Sequence, residues 1–224
     1  MLSGLRKSDR ALLLPLLERR ELCFRDVLEQ SSRRVDHAYF VESGIVSLIA
    51  STSRDRRAEI AIVGHDGMVG TAIVLGADRS PNTAVVQVAG TSLRIAVADL
   101  IVAMAASREL SRRLLLYIHT LGFQVAHTVL ANTKGSVDER LARWLLMAND
   151  RIDGNKYPQT HEFLSIMLGV RRAGVTVALH RLEGAGLIRA TRGIITIVDR
   201  AGLERYADAY YGAPEKEYER LLGG

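Results

Sequence analysis

Apolar and polar positions along the chain fall into three textures. Over about the first thirty residues, the apolar clusters Leu12, Leu13, Leu14, Leu16 and Leu17 predict helix, with Pro15 marking a break or a start. From about His37 to Ile95, short runs rich in Val, Ile and Ala alternate with polar residues: His37–Val41, Gly44–Ser51, Arg57–Val63, Thr83–Val88 and Thr91–Ile95. Turn residues separate them at Glu42-Ser43-Gly44, Gly64–Gly67, Gly76–Asp78 and Ala89-Gly90. Repeated short strands with turn signals predict an antiparallel barrel or sandwich. From Val97 to about Ala148 the pattern is helical again. Leu114, Ile118, Leu121, Val125, Thr128 and Asn132 follow one another at spacings of 4, 3, 4, 3 and 4, a heptad seam. Leu115, Leu116, Phe123, Val129 and Leu130 lie off that seam, so the helix is apolar nearly all round and needs cover on several sides. A dimer helix that meets its mate along the seam and a β-domain on its flanks accounts for both features. A helix buried in a monomeric core is the alternative.

The same stretch, Leu114 to Thr133, holds no Asp, Glu, Lys or Arg and has the length of a membrane span. His119, Gln124, His127, Asn132 and three threonines inside it would be costly in lipid, so no membrane partner is expected. Lys134-Gly135-Ser136 breaks the pattern, and Ser136 with Glu139 forms a capping box that opens a new helix. These breaks divide the chain into a β-domain with flanking helices (1–107), a dimerisation helix (108–134) and a C-terminal domain (135–224). Asn149 to Pro158 is polar and loop-like.

Residues 159–188 carry the functional pattern. Thr160 is a natural N-cap, Phe163 to Leu168 form a short apolar helix, and Gly169 ends it. A second helix begins near Arg172 with Val175, Ala178, Leu179 and Leu182 on its inner face; Gly184 and Gly186 close it. Two short helices across a tight glycine turn make a helix-turn-helix, whose second helix enters the major groove with its N-terminal residues at base edges. The outward residues there are Arg171, Arg172, Ala173, Thr176, Val177, His180 and Arg181, and a well-placed Arg reaches guanine O6 and N7 together. Leu187–Ala190 and Ile194–Val198 flank Thr191-Arg192-Gly193 as the two strands and tip of a wing, with Arg192 placed to meet phosphate or the minor groove.

Composition sharpens this reading. The net charge of +5 is spread along the chain and by itself says little, but from Arg171 to Arg192 five arginines stand against Glu183 alone. One cysteine, Cys23, rules out an internal disulfide, a four-cysteine iron–sulfur cluster and a zinc finger, and suits a reducing compartment such as the cytoplasm. Met1 to Arg25 mixes Arg, Asp and Glu among its leucines and does not read as a signal peptide. His37, His65, His119 and His127 are ordinary structural histidines before they are haem or metal ligands, and no metal site is expected. No nucleophile elbow, phosphate loop or paired metal-ligand motif is present, so the chain does not read as an enzyme.

The order of parts, with the segments Phe40–Ala50 (FVESGIVSLIA), Gly64–Gly70 (GHDGMVG) and Leu168–Ile188 (LGVRRAGVTVALHRLEGAGLI), resembles the CRP/FNR family of bacterial transcription regulators over nearly the whole chain. The resemblance implies an α+β protein: an N-terminal antiparallel β-roll of jelly-roll type, a long dimerisation helix and a C-terminal winged helix-turn-helix. It also implies a homodimer on a two-fold symmetric operator, an effector bound at the roll or the dimer helix, and RNA polymerase as a further partner. Cyclic-nucleotide members hold ribose with a Glu and phosphate with an Arg. The matching positions here are Gly70-Thr71-Ala72 and Asn82-Thr83, with Val125 and Ala126 on the dimer helix where the base would lie. Neither the carboxylate nor the guanidinium is there, and Arg79 replaces the latter only if its loop is rearranged. Loss of a buried charge-assisted contact costs roughly 2–5 kcal/mol, so tight cyclic-AMP binding is not expected and the effector is unknown. On the recognition helix the cyclic-AMP receptor type has Arg-Glu…Arg, whereas this chain has Arg172-Ala173…Val177 and a different operator is expected. A sensor subunit acting on a protein partner instead of DNA is the alternative function.

Overall fold

The computed structural model describes residues 1–52, 56–158, 160–191 and 193–223. After helix α1 (Lys7–Leu13) and a short 3-10 turn (Leu14–Leu16) come strands β1 (Glu18–Leu22), β2 (Val27–Glu29), β3 (His37–Ser51), β4 (Arg57–Val63) and β5 (Met68–Val69). Helix α2 (Thr71–Val74), strand β6 (Thr83–Ala96), α3 (Val97–Ala106) and α4 (Arg108–Lys134) follow. The C-terminal part contains α5 (Val137–Asn149), β7 (Lys156–Pro158), α6 (His161–Leu168), α7 (Arg172–Gly184), β8 (Ile188–Thr191), β9 (Ile194–Ile197), α8 (Arg200–Ala207) and α9 (Ala213–Leu222). The first sheet runs β1-β6-β3-β4, with β2 also on β6 and β5 also on β3, and every pairing is antiparallel. The second runs β7-β9-β8.

Two expectations are corrected. The leucine-rich start is helical only over Lys7–Leu13, and Glu18–Leu22 pairs with β6 instead. That edge strand is exposed except at Leu22, so its pattern carried no β alternation and cross-strand pairing decides its conformation. The four short strands predicted at His37–Val41, Gly44–Ser51, Thr83–Val88 and Thr91–Ile95 are two long ones, β3 and β6, paired through irregular register between Val41 and Val46. The glycines read as turns are bulges in a crowded crossing. A Cβ on Gly90 would lie 2.1 Å from the Ser43 carbonyl oxygen, and one on Gly44, at φ +85°, would lie 2.5 Å from that of Val88.

Two cores form. The first fills the roll and takes in Leu100, Leu110, Leu114, Tyr117 and Leu121 from α3 and α4. The second is built by α5 to α8 and the small sheet, and it also includes Ile45 and Ile62 from the outer face of the roll. The C-terminal domain is therefore docked on the roll, with α6 against β4. Ser136 forms the expected capping box with Glu139 at the start of α5. The segment expected as loop up to Pro158 ends in β7, which pairs with β9.

The helix α4 is long and apolar enough to cross a membrane, but one face of it is committed to protein: Leu110, Leu114, Tyr117, Leu121, Gln124 and Ala131 are buried. This corrects the seam. Leu114 is 0% exposed and Leu121 lies in the same core, so neither can meet a mate. Thr128 is half-buried and turned towards Glu59 and Trp144. The apolar face left open keeps Ile118, Val125 and Asn132 of that seam and takes Leu115, Gly122 and Val129 in place of Leu114, Leu121 and Thr128. Leu115 is 48% and Val129 57% exposed, while a Cβ on Gly122 would meet nothing.

Candidate nucleic-acid interface

The Thr160 Oγ1 accepts from the Phe163 N–H at 3.2 Å and starts α6; Gly169, at φ +60°, stops it in the left-handed conformation. The next helix, α7, leaves at 99° to α6, within the range of a helix-turn-helix. Val175, Ala178, Leu179 and Leu182 bury the inner face of α7, and Arg140 from α5 fastens the turn by donating to the Leu168 carbonyl. With the inner face fixed, the 3.6-residue period decides what faces outward.

Arg171, Arg172, Ala173, Val177, His180 and Arg181 are exposed, and Thr176 is half-buried. These side chains are not equally free. Arg172 pairs with Glu162 at 3.2 Å, but both partners are well exposed, so the contact exchanges readily with solvent. Thr176 Oγ1 donates to the Arg172 carbonyl and sits 3.3 Å from His161 Nδ1. His180 lies 3.8 Å from Glu183. Arg181, though exposed, is paired with the buried Asp138 of α5 at 3.2 Å. Asp138 is largely shielded by its own domain; against that burial, the Tyr206 hydroxyl at 2.7 Å, its own backbone and Arg181 keep its carboxyl below the usual range. Arg181 thus serves the fold first. Beyond α7, strands β8 and β9 form the wing; Arg189 projects from it, and Arg192 at its tip lies outside the described residues.

The profile of the Crp-like helix-turn-helix domain matches residues 139–206, and that of the cyclic nucleotide-binding domain matches residues 19–107. The chain belongs to the CRP/FNR family. That family is one of DNA-binding transcription regulators, not enzymes, and the chain is such a regulator. No curated protein matches it in sequence. Its fold is similar to that of FixK2 from Bradyrhizobium japonicum, with 16% identity over 86% of this chain and 98% of that one and a TM-score of 0.74. A CRP/FNR-family regulator from Eubacterium rectale gives 19% identity, 92% and 97% coverage and a TM-score of 0.70. The c-di-GMP-responsive regulator CLP of Xanthomonas campestris gives 18%, 86% and 99%, and 0.67.

The expected effector positions lie at α2, at the start of β6 with the loop before it, and on α4. Gly70, at φ +108°, turns the chain into α2, where Ala72, Ile73 and Val74 are buried; Thr71 is half-buried. Asn82 donates its N–H to the Ser80 hydroxyl, and Thr83 Oγ1 accepts from Ser31 N–H. Arg79 is exposed, donates to the Ser32 carbonyl and lies 3.9 Å from Asp78. Val125 packs partly against the roll core and Ala126 is exposed. Arg79 is the cation among these positions. Among the described residues no group of His, Cys, Asp and Glu could hold a metal.

Sequence reasoning missed a polar chain that joins the two domains. Trp144 Nε1–H of α5 donates to Glu59 Oε1 of β4 at 2.9 Å. Ser47 Oγ lies 2.5 Å from Glu59 Oε2 and 2.7 Å from Gln87 Oε1, and Gln87 Nε2 donates to Met167 Sδ of α6. Serine has one proton for two acceptors, so a protonated Glu59 completes the chain by donating to Ser47, which donates on to Gln87. Burial pushes the Glu59 carboxyl up to about 7, against the pull of Ser47, Trp144 and Arg143. Glu59, Gln87 and Trp144 are far apart in sequence, and no motif signalled them.

Proposed function

We propose that the regulator acts as a homodimer which reads a two-fold symmetric operator through paired α7 helices. The observation that carries this is the division of α7: a buried aliphatic inner face, and an outer face of Arg171, Arg172, Ala173 and Val177 left at the surface. The open apolar stripe of α4 gives a second copy its place, since helices that show Leu, Ile and Val at alternating three- and four-residue steps pair along them. Arg172 is the base-contacting arginine, Val177 favours a thymine methyl, and the helix N-terminus capped by Thr160 together with Arg192 contacts the backbone. The effector is a small molecule other than cyclic AMP, the roll lacking the Glu and Arg that would hold one. Family membership supports RNA polymerase as a further partner and the cytoplasm as the setting.

Selection from random duplex DNA followed by gel shift tests this. Palindromic sites with half-sites about one helical turn apart are expected, bound more weakly as salt rises. Recovery of asymmetric sites, or of none in preference to bulk DNA, would overturn it.

A further inference from the structure

The two domains meet across one buried carboxyl. Glu59 of β4 is 6% exposed, and the groups around it come from both sides of the junction: Ser47 and Gln87 from the roll, Trp144 and Met167 from α5 and α6. Ser47 and Gln87 are buried as well, so a hydrogen bond lost between them is not replaced by bulk water.

The proton on Glu59 sets the direction of this chain. With it, Glu59 donates to Ser47, Ser47 donates to Gln87 Oε1, and Gln87 Nε2 is left for Met167 Sδ. Without it, Ser47 gives its only proton to the carboxylate, and Gln87 Oε1 faces a serine lone pair at 2.7 Å. Turning the amide over gives Ser47 a donor again but sets the amide oxygen against Met167 Sδ, acceptor to acceptor, where the roll meets α6. The charged groups that face Glu59 from the elements packed on it are Arg140 and Arg143, both of α5. Arg140 donates to the Leu168 carbonyl and Arg143 to those of Tyr210 and Gln124, so Arg143 acts on the carboxyl through its field rather than as an ion-pair partner. From α4 come Thr128 and Asn132, which do not titrate. An ionised Glu59 is thus a desolvated charge at the seam, and opening the seam to water relieves it while each domain stays folded.

We propose that Glu59 is a proton-operated latch between the roll and the winged helix: protonated, it joins the two domains, and ionised, it releases the head to reorient. Burial raises the carboxyl from 4.5 to about 7, which places the latch near neutrality. The raised value belongs to the docked state, and release lets the carboxyl return towards its ordinary one. Docking is therefore firm at low pH and is lost as pH rises through about 7. The latch gives the regulator an input in pH and rests on that reading only for its effect at an operator.

The test uses the full-length protein without DNA, so that its outcome is independent of the operator reading. Trp144 emission and hydrogen exchange of α6 (His161–Leu168) are followed from about pH 5.5 to about 8.5 in the parent, in Glu59→Gln and in Glu59→Met, with protection compared at equal pH. In the parent the emission should shift to the red with a midpoint near 7, and α6 should lose roughly tenfold or more of its protection over the same range. Neither variant should respond to pH, whatever its level of docking; the methionine variant carries the test should the glutamine one fail to fold. A parent that does not respond between these limits would overturn the proposal. So would a red shift with α6 protection retained, since the carboxyl would then ionise inside a closed seam. A response that persists in a variant would assign it to another group and overturn the proposal equally.

Discussion

At the scale of single residues, Arg172 and Arg181 look alike in sequence and differ in the structure. Arg172 is exposed and paired only with a solvated glutamate, whereas Arg181 is tied to Asp138, which Tyr206 also holds. Arg172→Ala is expected to cost about 1–3 kcal/mol at the preferred operator and to relax one base position, as measured by competition gel shift. The melting temperature should stay put. Arg181→Ala should lower that temperature and weaken all sequences evenly. Equal losses of discrimination in both would refute the division. Glu59 makes a second residue-scale prediction. Unfolding returns its carboxyl to the ordinary value of 4.5, so the folded protein holds the extra proton up to about 7. Stability is then lost as pH rises from about 4.5 through 7, by at most about 3 kcal/mol. The Glu59→Gln side chain accepts from Trp144 and donates to Ser47 without a charge. Its denaturation midpoint should match the parent near pH 5 and exceed it near pH 8.5. Parallel curves across that range would show the carboxyl to be ionised in the fold.

At the scale of elements, what the sequence made legible follows from how local each signal is. The helix-turn-helix was readable because Thr160, Gly169 and the spacing of Val175, Ala178, Leu179 and Leu182 act within a few residues of one another. The identity of α4 as a helix was readable for the same reason, but its facing was not, since it is apolar nearly all round and the register of burial is set by the roll and α9. The glycines at 44 and 90 look alike whether they make turns or bulges; only the approach of β3 to β6 tells them apart. The corrected stripe of α4 yields a direct test. Leu115→Glu and Val129→Glu place charges on an exposed face and should leave each chain folded yet monomeric by sedimentation. Leu114→Ala, in the core, should instead cost about 2–5 kcal/mol of stability with association between folded chains intact. A monomeric Leu114→Ala beside a dimeric Leu115→Glu would restore the original seam.

At the scale of the whole molecule, the docking of the C-terminal domain is more than a flexible tether at Lys134–Gly135 would give. Ile45 and Ile62 of the roll sit in the same core as Leu141, Leu145 and Leu164, and the Glu59–Trp144 and Gln87–Met167 contacts lie beside them. In a dimer the separation and tilt of the two α7 helices are then set by this interface, and so is the half-site spacing that the operator must have. Trp144 is the one tryptophan of the chain and is 4% exposed at the junction, so its emission reports docking directly. Ile62→Ala opens a cavity where the domains meet. It should red-shift the Trp144 emission and separate that signal's thermal transition from the loss of helix seen by far-ultraviolet dichroism, two transitions expected to coincide in the parent. The same variant should tolerate operators whose half-sites are moved by one or two base pairs, since the heads are less firmly aimed, while its preference within each half-site, which we assign to Arg172 and Val177, stays as it was. If spacing selectivity were unchanged while the two transitions came apart, the dimer helix alone would be aiming the heads.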